Sequence, residues 1–292
     1  EDNLDIDFSH VSKRIDNIED FNTIILDPFL SGEKLFYRGE RINDPNRRLL
    51  PTFYREQKFA LENSDLGIKH INSDFDFVYV FNKTMGNAST EHLYEISAFA
   101  QHYYHLSPLI DFTKSLYPSL SFALKDRTYF DEDIVLYVLK LRDMDDYTSD
   151  IQVADKWLNE LNVYVSYFDE TSVKKSIKEL IENKKVSISS DFRKHLDSIA
   201  SNAAPKAKLI DVPTNTRMKF QQGVFMLLTD FQLFNDTYLT KNIRDSFEIN
   251  KYIIDKEICP FLVNMVKSEA PWYTYENLMD IESAFKSTVY KK

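Results

Sequence analysis

The 292-residue chain has one cysteine, Cys259, so no intramolecular disulfide can form and no zinc cage of cysteines can be built. A lone thiol fits a reducing, cytoplasmic setting. Glycine is scarce too. The five glycines, at positions 32, 39, 67, 86 and 223, exclude Gly-rich phosphate loops of the P-loop or dinucleotide-fingerprint type. No apolar run approaches the roughly 20 residues of a membrane-spanning helix, and the opening EDNLDIDFSH is acidic where a secretory signal is basic and then apolar. No membrane association is expected. Positive charge is in deficit, with 36 Lys and Arg against 46 Asp and Glu. The net charge of −10 disfavours sequence-independent binding to nucleic acid but leaves room for a local basic pocket.

The chain is rich in apolar and aromatic side chains: 43% of it is hydrophobic, with 22 Phe and 17 Tyr, enough for one large domain or two small ones. Apolar spacing at Ile15, Ile18, Phe21, Ile25 and Phe29 predicts a helix over 15–30, ended by Ser31 and Gly32. KLFYRGE (34–40), PLIDFT (108–113), EDIVLYVLKL (132–141), AKLIDVP (207–213), RMKFQQGVFMLL (217–228) and FEINKYII (247–254) read as strands. Helices are predicted over 74–86 and 89–105. SLYPSLSFALKD (115–126) reads as a third, with Pro118 in its first turn, and two more are predicted over 256–266 and 274–290, the last capped by Thr274. The block 143–203 is charged and reads as a helical insertion with a solvated face. This irregular order predicts an α+β fold: a mixed, mainly antiparallel sheet flanked by helices. Residues 1–33 form a helical lead-in, and 34–290 form the main domain, interrupted at about 143–203.

Five arginines, Arg38, Arg41, Arg47, Arg48 and Arg55, crowd one stretch of this acidic chain. Arg38 followed by Gly39 at a strand end suits bidentate grip of a phosphate, because the glycine lets backbone approach closely. The bland alternative is an internal pair between Arg38 and Asp111. Arg41, Arg47 and Arg48 read as a solvated loop. AFAQHYYHLSPLIDFTKS gathers Gln101, His102, His105, Asp111, Thr113 and Ser115 where a helix runs into a buried strand, and polar groups there need partners. His102 and His105 are one helical turn apart, but without an HExxH pattern or an evident third ligand no metal is expected, and two half-buried histidines are the plainer reading. Asp111 interrupts an apolar run and needs a cation such as Arg38. Gln221, Gln222 and Gly223 are placed by alternation inside an apolar strand, one glutamine facing each way. No GxSxG elbow supports a hydrolase triad.

LFYRGE, LLPTFYR, AQHYYHLSPLIDFTKSLYPSLSFAL and QQGVFML, in that order, resemble the landmarks of the FRG domain over about 34–126 and again near 217–285. Ser107-Pro108 replaces the usual Thr-Arg, and Phe112 the usual Trp. The motif order is also similar to that of ADP-ribosyltransferases of the Arg-Ser-Glu type. That resemblance implies NAD as substrate, with Arg38 holding a phosphate or ribose, Thr113 or Ser115 on the middle strand and Gln222 near the position of the catalytic acid. A neutral Gln lacks the charge that an oxocarbenium-like transition state needs, so Glu40 or Asp111 is the nearest carboxylate by motif. The resemblance makes Arg38, Asp111 and Gln222 the catalytic candidates. Arg38, Gly39, Arg55, Gln101, His102, Thr113 and Ser115 are the nucleotide-binding ones. Its implied setting is bacterial or phage defence, with a protein acceptor or a phage component as partner. A non-catalytic sensing module and a nucleic-acid-processing protein using the basic loop are the alternatives left open.

Overall fold

The computed structural model describes residues 12–44, 49, 94–95, 97–98, 101, 109–125, 127–166, 207–228 and 247–279, with backbone alone at 159–166 and 228. Its centre is an eight-stranded sheet built from β1 (Ser12–Ile15), β2 (Leu35–Glu40), β3 (Leu109–Thr113), β4 (Ile134–Leu141), β5 (Tyr147–Thr148), β6 (Ala207–Ile210), β7 (Gly223–Leu228) and β8 (Phe247–Ile254). The strands lie in the order β1-β8-β4-β2-β3-β7-β6-β5. Pairing is antiparallel from β8 through to β6 and parallel at both edges, β1 with β8 and β5 with β6. This is the α+β arrangement predicted from the order of elements.

One sheet face carries Tyr37, Leu136, Val138 and Ile254, packed with residues of the helices. Those helices are α1 (Ile18–Phe21), the π-helical turn Asn22–Leu26, α2 (Asp27–Leu30), α3 (Leu116–Leu124) and α6 (Cys259–Glu269). The helical run starts later than apolar spacing predicts. Asn17 caps it by accepting from the Asp20 amide, which leaves Ile15 to β1. It stops at Gly32, whose φ of 80° is left-handed and costs glycine little. On the same face, Leu109, Ile210, Phe225 and Leu227 pack with Tyr94, Ala98 and, from α4 (Ile151–Ser166), Ala154 and Leu158. The opposite face carries a second core: Phe36, Ile110, Phe112, Val135, Tyr137, Leu139, Val224, Met226 and Ile249 form one buried cluster.

The charged block opens by joining the sheet: Tyr147 and Thr148 pair with Leu209 and Ile210, and α4 follows directly. The helix predicted over 74–86 lies outside the described residues. The strand predicted over 217–228 is corrected at its start. Asn215 accepts from the Met218 amide and caps a short helix, α5 (Thr216–Phe220), and Gln222 follows with a left-handed φ of 51°. Gln221 and Gln222 therefore belong to a turn, and the alternation expected of them does not apply. Two further helical pieces, the 3-10 turn Pro271–Tyr273 and α7 (Tyr275–Met279), close the described chain. No helix among the described residues is long and apolar enough to cross a membrane.

Candidate functional site

β2 pairs with β4 along its whole length, from Leu35↔Lys140 to Glu40↔Val135, but meets β3 at a single pair, Tyr37↔Thr113. β3 is fully paired with β7 on its other side. Beyond that single rung the sheet is split, and Arg38 enters the split. Its Nη1 donates to the Asp111 carbonyl oxygen at 3.0 Å and its Nε to Glu40 Oε1 at 3.2 Å. A main-chain acceptor left out of the ladder needs a donor, and the guanidinium fork supplies one. Nη1 also lies 4.0 Å from Asp111 Oδ2. The Arg38–Asp111 partnership expected from sequence thus runs mainly through the Asp111 backbone.

The two carboxylates beside Arg38 differ. The Glu40 side chain is 6% exposed, whereas that of Asp111 is 48% exposed. Asp111 Oδ2 accepts from Gln101 Nε2 at 2.6 Å. Arg38, Glu40, Gln101 and Asp111 therefore form one bonded group at the mouth of the split. Among the described residues Arg38 Nη2 has no partner, so it can still grip an anion.

The remaining sequence candidates sit elsewhere. Thr113 is buried; its Oγ1 donates to the Gln221 carbonyl at 2.8 Å and accepts from the Ser115 amide at 3.1 Å. Ser115 is the buried N-cap position of α3. Gln222 Nε2 donates to the Tyr273 hydroxyl at 2.6 Å, and its carbonyl accepts from the Lys114 amide. Thr113, Ser115 and Gln222 thus share a brace that ties β3, α3 and β7 to the C-terminal helices. Gly39 faces α3 on the side of β2 away from Arg38, so the close approach there is made by the chain's own Ser119. Arg41 is exposed. Arg47, Arg48, Arg55, His102 and His105 lie outside the described residues. Among the described residues no group of three His, Cys, Asp or Glu side chains is placed to hold a metal ion.

Sequence reasoning missed Lys251. The register Arg38↔Tyr137↔Lys251 places all three in one row across β2, β4 and β8. Burial pushes the Lys251 amine below its usual range, against the pull of Glu40 and Asp44. The available signal was a lysine inside an apolar strand, but its alignment with Arg38 depends on sheet order. A separate cleft of about 570 Å³ lies near the β1 edge, lined by Arg14, Asp44, Asp131, Glu132, Asp133 and Asp255 among others. There Arg14 bridges Asp16, Asp133 and Asp255.

Residues 33–132 match the family model of the FRG domain. That stretch is similar to the FRG domain. The matched stretch includes β2, Gln101, β3 and α3, so Arg38, Glu40, Gln101 and Asp111 all fall inside the match. Gln222 and Lys251 fall outside the match. No curated protein and no solved structure matches the chain.

Proposed function

We propose that this protein binds NAD at the split between β2 and β3 and breaks its bond between nicotinamide and ribose, passing ADP-ribose to water or to a protein acceptor. The observation that carries this reading is the group at the split: a guanidinium with Nη2 unengaged among the described residues, set beside a half-exposed carboxylate that is oriented by a buried amide. Arg38 Nη2 holds a phosphate or ribose oxygen. Asp111 supplies negative charge where C1′ becomes cationic. As the C1′–N bond breaks, its electron pair leaves with nicotinamide, whose ring nitrogen becomes neutral. The acceptor oxygen or nitrogen then bonds C1′ and loses its proton to Asp111 or to solvent. Glu40 is committed to Arg38 and buried, which leaves Asp111 as the better-placed acid.

The adjacency of β2, β3 and β7 supports a transferase-like reading, since the resemblance implies Arg, Ser/Thr and acid strands lining one cleft. Gln222 favours a second reading. It is neutral and engaged with Tyr273, so no carboxylate stands at the late-strand position, as expected of a module that senses a nucleotide without turning it over. One experiment separates the two. With labelled NAD, the wild type should release nicotinamide, and Arg38→Ala and Asp111→Asn should each slow release about 100-fold. Calorimetric binding of NAD with no release would support the sensing module. No binding and no release would sink both.

A further inference from the structure

We infer that Gln101 sets the specificity of this site: its Oε1 accepts a hydrogen bond from an uncharged donor, a carboxamide N–H or a hydroxyl, at the nicotinamide-riboside end of the ligand. The inference rests on the NAD reading above. Gln101 is 9% exposed, and among the described residues its Oε1 is buried without a donor. Turning the amide over does not cure this. Nε2 lies 2.6 Å from Asp111 Oδ2, so an exchange of oxygen and nitrogen would set the amide oxygen against a carboxylate and bury two N–H groups in place of one oxygen. The carboxylate therefore fixes the amide, and Oε1 must find its donor outside the bonded group. Buried acceptors are nearly always satisfied, and an unsatisfied one beside a half-exposed carboxylate marks a place where something else binds.

The chemistry of that partner follows from its surroundings. Asp111 and Gln101 Oε1 are both acceptors, and they are held together by the Nε2 bond. A group with two donor hydrogens suits both, whether the NH2 of a carboxamide or the vicinal hydroxyls of a ribose. A carboxylate suits neither, since it brings no hydrogen for Oε1 and a like charge for Asp111. Arg38, whose Nη1 donates to the Asp111 carbonyl and lies 4.0 Å from its Oδ2, takes the anionic part of the ligand. The site thus has a cationic end and an accepting end, and it orients a dinucleotide with its uncharged donor toward Gln101.

Calorimetric titration with three probes tests this: NAD, the analogue carrying nicotinic acid in place of nicotinamide, and the analogue lacking the 2′-hydroxyl of the nicotinamide ribose. The wild type should bind NAD about 100-fold more tightly than one of the analogues, because sites built to hydrogen-bond a donor reject ligands that lack it. Which analogue is rejected identifies the donor. Gln101→Met, close to glutamine in shape, should narrow that ratio below about 10-fold, leaving the repulsion from Asp111. If Gln101→Met fails to fold, Gln101→Asn retracts the amide by one methylene and should narrow the ratio as well. Equal wild-type affinity for all three probes, or a ratio unchanged by either variant, would overturn the inference while leaving NAD binding intact. Failure of every probe to bind would instead count against the NAD reading, and the inference would fall with it.

Discussion

Gly39 shows how closely one residue can be tied to the seating of a helix. A Cβ built there would lie 2.0 Å from the Ser119 carbonyl oxygen and 3.0 Å from Ala123 Cβ. The first obstacle is helix backbone, which cannot swing aside as a side chain would, so α3 would have to move off the sheet. Gly39→Ala is expected to cost about 3 kcal/mol or more, at the upper end of overpacking effects. Urea unfolding measures it, and a variant as stable as the wild type would mean that α3 does not press on β2. At this scale the sequence was informative for separate residues: an Arg-Gly step at a strand end and an aspartate inside an apolar run each flagged a special position. It was silent on how they meet. Arg38 reaches the Asp111 carbonyl because β2 and β3 part after one rung, and no local pattern encodes that parting.

Among the elements, the strands with β-branched or aromatic runs were legible, and so was the antiparallel core they form. β1 was not, because SKRI has no strand pattern of its own and is held by pairing with β8. The start of β7 was misread because RMKF has enough apolar alternation to pass for strand, while the cap at Asn215 and the left-handed Gln222 decide otherwise. That turn is part of the brace around Thr113. Thr113→Val keeps the shape but removes the hydroxyl, leaving the Gln221 carbonyl and the Ser115 amide without that partner. The expected loss is about 2 kcal/mol, in the range for stranded buried polar groups. It should appear as a lower urea midpoint with an unchanged slope. A variant of undiminished stability would show that the hydroxyl does not brace the turn and would return Thr113 to the list of ligand contacts.

At the level of the whole molecule, the buried phenols govern the response to alkali. Burial, with Glu33 adding for Tyr37 and Asp211 for Tyr94, pushes both phenols well above their usual range near 10. Tyr117 is pushed up to about 12 by burial and by its bond to Glu269. Tyr147 is likewise pushed up to about 12 by burial and by its bond to Asp211. Burial also raises the Cys259 thiol to about 12. Each group keeps its proton in the folded state at a pH where the unfolded chain has released it. The stabilisation is therefore complete below the unfolded values, near 9 for the thiol and 10 for the phenols, and is lost as pH climbs through the folded ones. Burial, with Glu248 adding, raises the Tyr252 phenol too. Lys251 works the other way: its lowered amine makes stability rise with pH toward 10.5, but it is one group against six. Deprotonation also adds negative charge to a chain already at −10, which favours expansion. The urea midpoint should stay level from about pH 7 to 9 and then fall steadily toward about 12, with the phenolate absorbance of the buried tyrosines appearing together with unfolding. Tyr117→Phe, which removes one raised group, should make the fall shallower. Free titration of all phenols near pH 10 in the folded protein, with a level midpoint, would refute this account of alkaline stability.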